Sequence, residues 1–532
     1  MLENKWVRTS GNLPRSRRSR PANPRRRTHM GVVNLRLPSS LSPAEAKALE
    51  PSYFLGLPDY MPWLTAVTVS HGQMTAEKEV PESGCLCVPW SWPAQANGAT
   101  PWPPQPLMLT TATLVERPHS YRLLVELARG KVNQLRNQAA DWQTGGLNLT
   151  PELDGAIREV SKLFGRAVCE RDEADRADAL AATTLAEALK VGDLLVETYI
   201  AQVLAARLAR SARLPSQLSC TVYSPLIDPD QVRELLSTFT MIRLPLPWGE
   251  IETTRGQYQW EKFDALLAWA KLLNLPFEIG PLFDVAPKLL PPWLPDVLGD
   301  PQSMVGHMLD FLEAALLRYR GEARHWLITA GTNDPSVLEL DDEEALTLNA
   351  QLLSSAEQIN PTGEYALALS QPWGEAVAQG YRSISPFVFA DALLRSRIRL
   401  SYLELEVQIG SALRGSLARD RLDLSRLLDL YALLAVPLRV SLGMPSAASA
   451  DPHAEPLYSL DPTVLRSPEA QAIFAEQVGM LVLCKPYVSG LHWSHWSDAE
   501  PHLFPHSGLV DAAGALKPAL ARLRTLRQAY LG

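Results

Sequence analysis

The chain has 532 residues, more than a single hydrophobic core usually serves, so we expect two or more domains. Hydrophobic residues make up 46% and charged residues 20% of it, which is typical of soluble globular proteins, and no apolar run reaches the roughly 18 residues that a transmembrane helix needs. The net charge is −8, so the folded part is not expected to bind nucleic acid or a membrane.

The first 30 residues differ from the rest, because "RSRRSRPANPRRR" gives them nine basic residues against one acidic residue. Such a tail could bind nucleic acid; we favour a disordered extension, or a true start at Met30. No apolar stretch follows the arginines, so no export signal is predicted. An odd number of scattered cysteines fits a reduced, cytoplasmic setting: Cys85, Cys87, Cys169, Cys220 and Cys484.

Two segments precede the main domain. Residues 31–115 contain short apolar runs such as "GVVNLRLP" and "LTAVTVSHGQ", separated by turn-forming residues, which predicts a small β-rich, sandwich-like module. Residues 116–212 change to helical spacing. Within them, "TPELDGAIREVSKLFGRAV" predicts a helix capped by Thr150, with Pro151 in its first turn.

From residue 213 to 532, strand-like runs alternate with amphipathic helical patterns eight times, which predicts an α/β fold, a (β/α)8 TIM barrel. The predicted strands are 218–224, 239–246, 276–283, 325–331, 365–371, 400–407, 437–443 and 487–493. Reactive groups in this fold lie at the carboxyl ends of the strands.

The same region resembles the glycoside hydrolase family 10 (xylanase-type) barrel. The stretch "PWGEIETTRGQYQWEKFDALLAWAKLLNLPF" is similar to the second-strand region of that family, and "IGPLFDVAPKLLPPWL" and "YRGEARHWLITA" are similar to its third and fourth. Near the end, "ALLAVPLRVSLGM" and "GLHWSHWSDAEPHLFPHSGLVDAAGALKPAL" resemble the seventh and eighth. The resemblance implies a barrel that acts on or binds a β-linked carbohydrate, without a cofactor.

The chain departs from the family where chemistry is expected. Retaining glycosidases use two carboxyl groups about 5–5.5 Å apart, which in this family end the fourth and seventh strands. In our register, Ala330 and Gly331 take the acid/base region and Leu442 takes the nucleophile position. None of these side chains can donate a proton or attack a sugar carbon, so the usual chemistry is expected to be lost.

Other carboxylates could substitute. Glu404 and Glu406 lie two residues apart on the sixth strand and therefore share a face, and Asp334 follows the fourth strand. The alternative is that both glutamates pair with arginines such as Arg243 or Arg439 inside the barrel. Asp334 would then be an ordinary turn residue before a proline.

A carbohydrate cleft also needs aromatic rings, on which sugar faces stack. The candidates for substrate binding are Trp248, Glu250, Trp293, Trp373, Trp493, Trp496 and Asp498. In the alternative, these tryptophans plug the barrel against the N-terminal module. Four histidines near the eighth strand lack a carboxylate at metalloenzyme spacing, so no metal is predicted: His492, His495, His502 and His506.

Three functions remain open. The chain could be a diverged glycoside hydrolase with relocated carboxylates, a pseudoenzyme that binds a glycan, or a structural or interaction protein whose barrel is closed by the N-terminal region. The sequence does not predict the oligomeric state.

Overall fold

The computed structural model describes residues 31–56, 60–91, 106–170, 173–333, 337–338, 340–411, 414–456, 458, 460 and 466–532. The arginine-rich tail and the candidate Asp334 lie outside these ranges, so both stay predictions. Across the described ranges, none of the helices is long and apolar enough to span a bilayer.

The N-terminal module consists of two four-stranded sheets, with strand orders β4-β5-β1-β8 and β3-β2-β6-β7. Its strands are β1 Gly31–Arg36, β2 Tyr53–Leu55, β3 Pro62–Trp63, β4 Thr65–Ser70, β5 Gln73–Lys78, β6 Gly84–Trp90, β7 Leu107–Leu114 and β8 Tyr121–Arg122, with the short helix α1 Pro43–Lys47. Alternate residues of β1 are buried, as expected for a strand with one face on a core. The β-rich character predicted from the sequence is confirmed.

Three helices follow: α2 Leu123–Thr144, α3 Pro151–Cys169 and α4 Ala174–Leu208. The predicted start of α3 is confirmed, because the Thr150 side chain accepts a hydrogen bond from the Leu153 amide and Pro151 occupies the first helical position. The domain boundaries near residues 115 and 212 stay a prediction.

A nine-stranded sheet forms the barrel, and eight of its strands are parallel and close on themselves. The strands are β9 Gln217–Thr221, β10 Met241–Leu244, β11 Phe277–Ile279, β12 Phe283–Asp284, β13 His325–Ala330, β14 Glu364–Leu369, β15 Tyr402–Gln408, β16 Leu438–Gly443 and β17 Val488–Trp493. The barrel closes because β17 pairs with β9. The ninth strand, β12, pairs in parallel with β13 and is not one of the eight barrel strands. All eight predicted strands are present, and most are buried along their length, which explains their continuous apolar runs.

Helices surround the barrel, as the predicted TIM fold requires. They are α5 Pro229–Thr238, α6 Trp248–Ile251, α7 Glu261–Leu272, α8 Pro301–Tyr319, α9 Asp342–Ile359, α10 Glu375–Ala378, α11 Pro386–Arg395, α12 Arg421–Ala432, α13 Pro468–Cys484 and α14 Pro518–Tyr530, with two 3₁₀ turns at Pro287–Leu289 and Leu294–Asp296.

Buried polar contacts fasten the helical segment to this ring. Lys131 of α2 binds Asp420, the N-cap of α12, at 2.7 Å. Arg421 of α12 binds Asp193 and Glu197 of α4 at 3.0 Å each. The two basic side chains are almost completely buried, whereas Asp193 and Glu197 are partly exposed, and the pairs hold α2 and α4 against the barrel wall.

The N-terminal module also contacts the barrel directly. The Met108 amide donates to the Ala418 carbonyl at 2.9 Å, and Arg419 donates to the Tyr53 hydroxyl at 2.7 Å. A small apolar cluster that includes Ala378 surrounds this contact. The module therefore packs on the loops that follow β14 and β15.

Gly130 tests the packing of α2 on the module, because a Cβ there would collide with the backbone of Thr110 and Thr111 in β7. We expect Gly130→Ala to lower the free energy of unfolding by about 1–3 kcal/mol through overpacking. Gly155→Ala in α3 is the matched control, since its Cβ would meet nothing within 4 Å and should raise stability by up to about 1 kcal/mol. Urea unfolding of both variants gives the comparison, and equal shifts would contradict this packing.

Candidate functional site

The barrel interior is layered along β15 and β16. Glu404 pairs in register with Arg439, Glu406 with Ser441, and Gln408 with Gly443. Since alternate residues of a strand share a face, these three pairs point inward and form successive layers toward the carboxyl end of the barrel, which we call the barrel mouth.

The deep layer is a closed network of charges. Arg243 donates to Glu278 at 2.6 Å and to Glu404 at 2.8 Å. Arg439 also binds Glu278, whose second oxygen accepts from the Tyr402 hydroxyl at 2.8 Å. Burial would raise the pKa of Glu278, but the two guanidinium groups hold it well below its usual range. Glu404 is therefore an ion-pair partner of Arg243, as the alternative interpretation expected.

The layer above it contains the other candidate glutamate. Arg414 donates from Nε and Nη2 to the two oxygens of Glu406, at 2.8 and 2.6 Å, and from Nη1 to Asp284 at 2.5 Å. Arg414 is 0% exposed. One guanidinium thus serves two buried carboxyl groups, and burial raises the pKa of Glu406 above its ordinary value against the opposing effect of Arg414.

Arg414 fills the space beside Gly331, the residue that our register places in the acid/base region. Gly331 has a left-handed backbone conformation with φ of 68°, and a Cβ built on it would lie 2.8 Å from the Arg414 Cζ. A side chain at position 331 would therefore require Arg414 to move from its observed position.

The residue that our register places at the nucleophile position, Leu442, does not face the barrel interior. Leu442 alternates with the inward-facing Ser441 and Gly443, so its side chain points outward, where it joins the main hydrophobic core. Gly443 is the inward residue at the end of β16. A Cβ there would collide with the Gln408 side-chain oxygen, so Gln408 occupies this space.

An aromatic cap lies over the guanidinium of Arg414. The rings of Tyr458 and Phe504 stack with centroids 5.8 Å apart, and the Arg414 Cζ lies 5.8 Å from each of them. The Tyr458 hydroxyl donates to the Val285 carbonyl at 3.0 Å, which ties the cap to the loop after β12. The loops of the barrel itself cover this part of the mouth.

Most predicted sugar-stacking tryptophans are packed into the protein. Trp248 is fully buried and makes edge contacts with Phe283 and Trp293 at 5.6 and 5.5 Å. Trp493 and Trp496 are also buried. Trp293 and Trp373 are half-buried.

Their indole nitrogens are hydrogen-bonded within the protein. Trp293 donates to the Glu252 carbonyl, Trp493 to the Ser507 carbonyl, and Trp496 to the Gln231 side chain. Trp373 lies under the Arg419 guanidinium, 4.8 Å from its ring centroid. The structure therefore does not bring the five tryptophans together as one open platform.

The two predicted acidic ligands have protein partners. Glu250 binds Lys262 at the surface. Asp498 is buried and accepts from Lys517 at 2.5 Å and from the Gly508 amide at 2.7 Å. Burial would raise the pKa of Asp498, but hydrogen bonds and charges from His495 and Lys517 hold it below its ordinary value, so the carboxylate stays ionised.

A small cavity of about 40 Å³ remains beside the Glu406 layer, with room for a few water molecules. Its polar lining residues are Thr221, Tyr223, Arg243, Asp284, Glu406, Gln408, Ser441, His492, Ser494 and His495. The Gln408 Oε1 atom is buried and has no hydrogen-bond partner among the described residues. A buried amide oxygen without a donor is costly, so a ligand or water that donated a hydrogen bond to this atom would be stabilised.

His495, Asp498 and His502 each offer one ligand atom within 4.8 Å of the others. However, the rings of His495 and His502 stack at 4.3 Å and 19°, so their in-plane lone pairs do not converge on one point. Lys517 also supplies a positive charge on Asp498. These contacts do not fit a cation, and the absence of a metal stays a prediction.

Sequence reasoning missed Arg414, Asp284 and Gln408. Gln408 continues the two-residue alternation of Glu404 and Glu406, so the strand pattern could have identified it. Asp284 and Arg414 have no comparable local signal, because Arg414 reaches Asp284 across 130 residues of sequence.

No protein-family model and no curated protein matches the chain. Among solved structures, native xylanase 10B from Thermotoga maritima is 13% identical over 60% of this chain and 97% of that chain, with a TM-score of 0.46. Xylanase 10B from Thermotoga petrophila RKU-1 in complex with xylobiose is 12% identical over 60% and 96%, with a TM-score of 0.45. The family 10 endo-β-1,4-xylanase from Gloeophyllum trabeum is 14% identical over 61% and 98%, with a TM-score of 0.45. At these identities the likeness concerns the fold.

Proposed function

We propose that this chain is a glycoside hydrolase-like barrel that binds a hydroxyl-rich carbohydrate group at its mouth and does not cleave glycosidic bonds. The observation that carries the proposal is the position of Arg414. It binds both oxygens of Glu406 and one of Asp284, and it fills the space beside Gly331.

The loss of cleavage follows from what retaining hydrolysis requires. One carboxyl group has to give a proton to the leaving oxygen, and the other has to attack the sugar carbon. Glu404 is bound by Arg243, and both oxygens of Glu406 accept hydrogen bonds from Arg414. Glu404 and Glu406 are therefore not free to act as the proton donor and the attacking group.

The binding part of the proposal rests on the chemistry of the cavity. Its lining residues include Gln408, whose buried Oε1 has no hydrogen-bond partner among the described residues, and the hydroxyl-bearing Ser441 and Tyr223. Sugar hydroxyls can donate to the first and exchange hydrogen bonds with the others. The size of the cavity admits one edge of a sugar ring or a chain end rather than an oligosaccharide.

Hydrolysis by relocated carboxyl groups is the second candidate. It is favoured by one observation: Glu406 and Asp284 contact the same guanidinium from opposite directions, and burial raises the pKa of Glu406, as a general acid requires. In this scheme Glu406 would donate the proton and Asp284 would be its partner.

We expect no turnover above buffer on aryl β-glycosides or β-linked xylo- and gluco-oligosaccharides. Binding of the same sugars, measured by titration calorimetry, should be saturable with Kd in the millimolar range of a small polar site, roughly −4 kcal/mol. Gln408→Leu should abolish it, whereas the exposed Gln379→Leu should not.

The variants Glu406→Gln and Asp284→Asn separate the two candidates. Turnover in the wild type that disappears in both variants would establish hydrolysis and refute our proposal. Turnover that persists in both would refute the assignment of these carboxyl groups. An absence of saturable binding to every sugar tested would refute the binding function.

A further inference from the structure

A second hydrogen-bonded chain of side chains lies at the edge of the same cavity. The hydroxyl of Ser494 is 3.3 Å from His495 Nδ1, and His495 Nε2 is 3.1 Å from Asp498 Oδ1. Ser494 directly follows β17, so this chain starts at the carboxyl end of the eighth barrel strand, where TIM barrels place reactive groups.

The partners of Asp498 determine which histidine nitrogen carries the proton. Asp498 accepts from Lys517 and from the Gly508 amide, so its carboxylate is ionised and can only accept hydrogen bonds. His495 Nε2 must therefore donate to it. In the neutral imidazole Nδ1 then has a free lone pair, which accepts the Ser494 hydroxyl proton.

The surroundings hold this arrangement in place and leave one end accessible. His495 is buried, and its ring stacks on His502 at 4.3 Å, which restricts its rotation. Ser494 is only half-buried, and both Ser494 and His495 line the cavity. Tyr223 lines it too, and burial raises the pKa of its phenol, which stays protonated and able to donate a hydrogen bond.

We propose that Ser494 is the nucleophile of a second activity, the hydrolysis of small carboxylic esters, with His495 as its base and Asp498 as a positioning residue. Ser494 Oγ would bond to the ester carbonyl carbon while its proton moves to His495 Nδ1. The C–O bond to the alcohol then breaks, and the alcohol leaves with that proton. Water, deprotonated by His495, releases the acid and restores Ser494.

The cavity limits the substrate class. A volume of about 40 Å³ accepts an acetyl group but not a long acyl chain. Acetyl esters of hydroxyl-rich alcohols fit both the cavity and its polar lining. This inference does not depend on glycan binding, because only the acyl group has to enter.

A fluorophosphonate probe, which phosphonylates activated serines, tests the proposal on the full-length chain. We expect one probe adduct per chain, located on Ser494 by peptide mass spectrometry and absent in Ser494→Ala. The matched control is Ser497→Ala, since Ser497 lies in the same loop and its hydroxyl accepts a hydrogen bond from the nearby Ala499 amide. No adduct in the wild type, or an unchanged adduct in Ser494→Ala, would overturn the proposal.

The role of Asp498 must be tested with a measurement that would not change if Asp498 only stabilised the fold. We expect Asp498→Asn to slow labelling and 4-nitrophenyl acetate hydrolysis about 100-fold or more, by disturbing the tautomer of His495. In the Ser494→Ala background the same change should have no further effect on ester hydrolysis. Equal losses in both backgrounds would show that Asp498 acts only on folding, and faster hydrolysis of 4-nitrophenyl octanoate than of the acetate would refute the assigned substrate class.

Discussion

Replacing Arg414 by methionine is expected to lower the free energy of unfolding by about 3–5 kcal/mol, because it leaves two buried carboxyl groups without their shared partner. The guanidinium makes three hydrogen bonds to Glu406 and Asp284 and is 0% exposed, so water cannot replace it. Urea unfolding followed by tryptophan fluorescence measures the loss.

The control for Arg414 is Arg395→Met, which removes an exposed ion pair with Asp391 and should cost no more than about 1 kcal/mol. Adding Glu406→Gln and Asp284→Asn to Arg414→Met should restore much of the loss, since the buried charges disappear together. If Arg414→Met alone is as stable as the wild type, the guanidinium is not what holds the mouth closed.

Arg243→Met is expected to have a similar effect in the deep layer, about 3–5 kcal/mol, because Glu278 and Glu404 both bind Arg243. The loss of unfolding free energy in Arg243→Met should depend on pH. In the wild type the pKa of Glu278 is held below its ordinary value, so the stabilisation is complete at neutral pH and is lost as pH falls through the folded-state pKa. Without Arg243 the pKa of Glu278 rises, and unfolding curves at pH 7 and pH 5 should show the loss of unfolding free energy shrinking at the lower pH.

The double variant Arg243→Met with Glu404→Gln provides the comparison for this layer. It removes one charge of each sign and should be more stable than Arg243→Met alone. If the loss of unfolding free energy in Arg243→Met stays constant from pH 7 to pH 5, Arg243 stabilises the deep layer by its packing rather than by its charge.

The barrel could be predicted because its signal is local and repeated. Each strand, such as "HWLITA" at His325–Ala330, is an apolar run followed by a helical pattern, and eight repeats define the fold. The half-buried strand β1 could be predicted equally well, because its alternate residues face the core.

The face of a residue at a strand end was harder to predict, because an error of one residue reverses it. Placing the nucleophile position on Leu442 puts it outside the barrel, whereas Ser441 and Gly443 face the interior. At this divergence, alignment to a family identifies which segment forms a strand, but it does not identify the register of that strand.

The groups that close the mouth could not be predicted from local patterns. Arg414 lies in a loop beyond β15 and meets Asp284 from a different strand end, and Phe504 covers it from a third loop. Such contacts depend on the assembled barrel. The buried pairing of Glu404 with Arg243, by contrast, was foreseeable as an alternative, because an inward carboxylate needs a cation.

The buried contacts of α2 and α4 have a practical consequence for work on this protein. A gene fragment encoding only residues 213–532 would lack Lys131, Asp193 and Glu197, and would strip Arg421 of both of its anionic partners. Arg207 would no longer donate to the Leu483 and Cys484 carbonyls at the end of α13. Truncations, fusions and tags intended to preserve the native barrel should therefore retain α2 to α4.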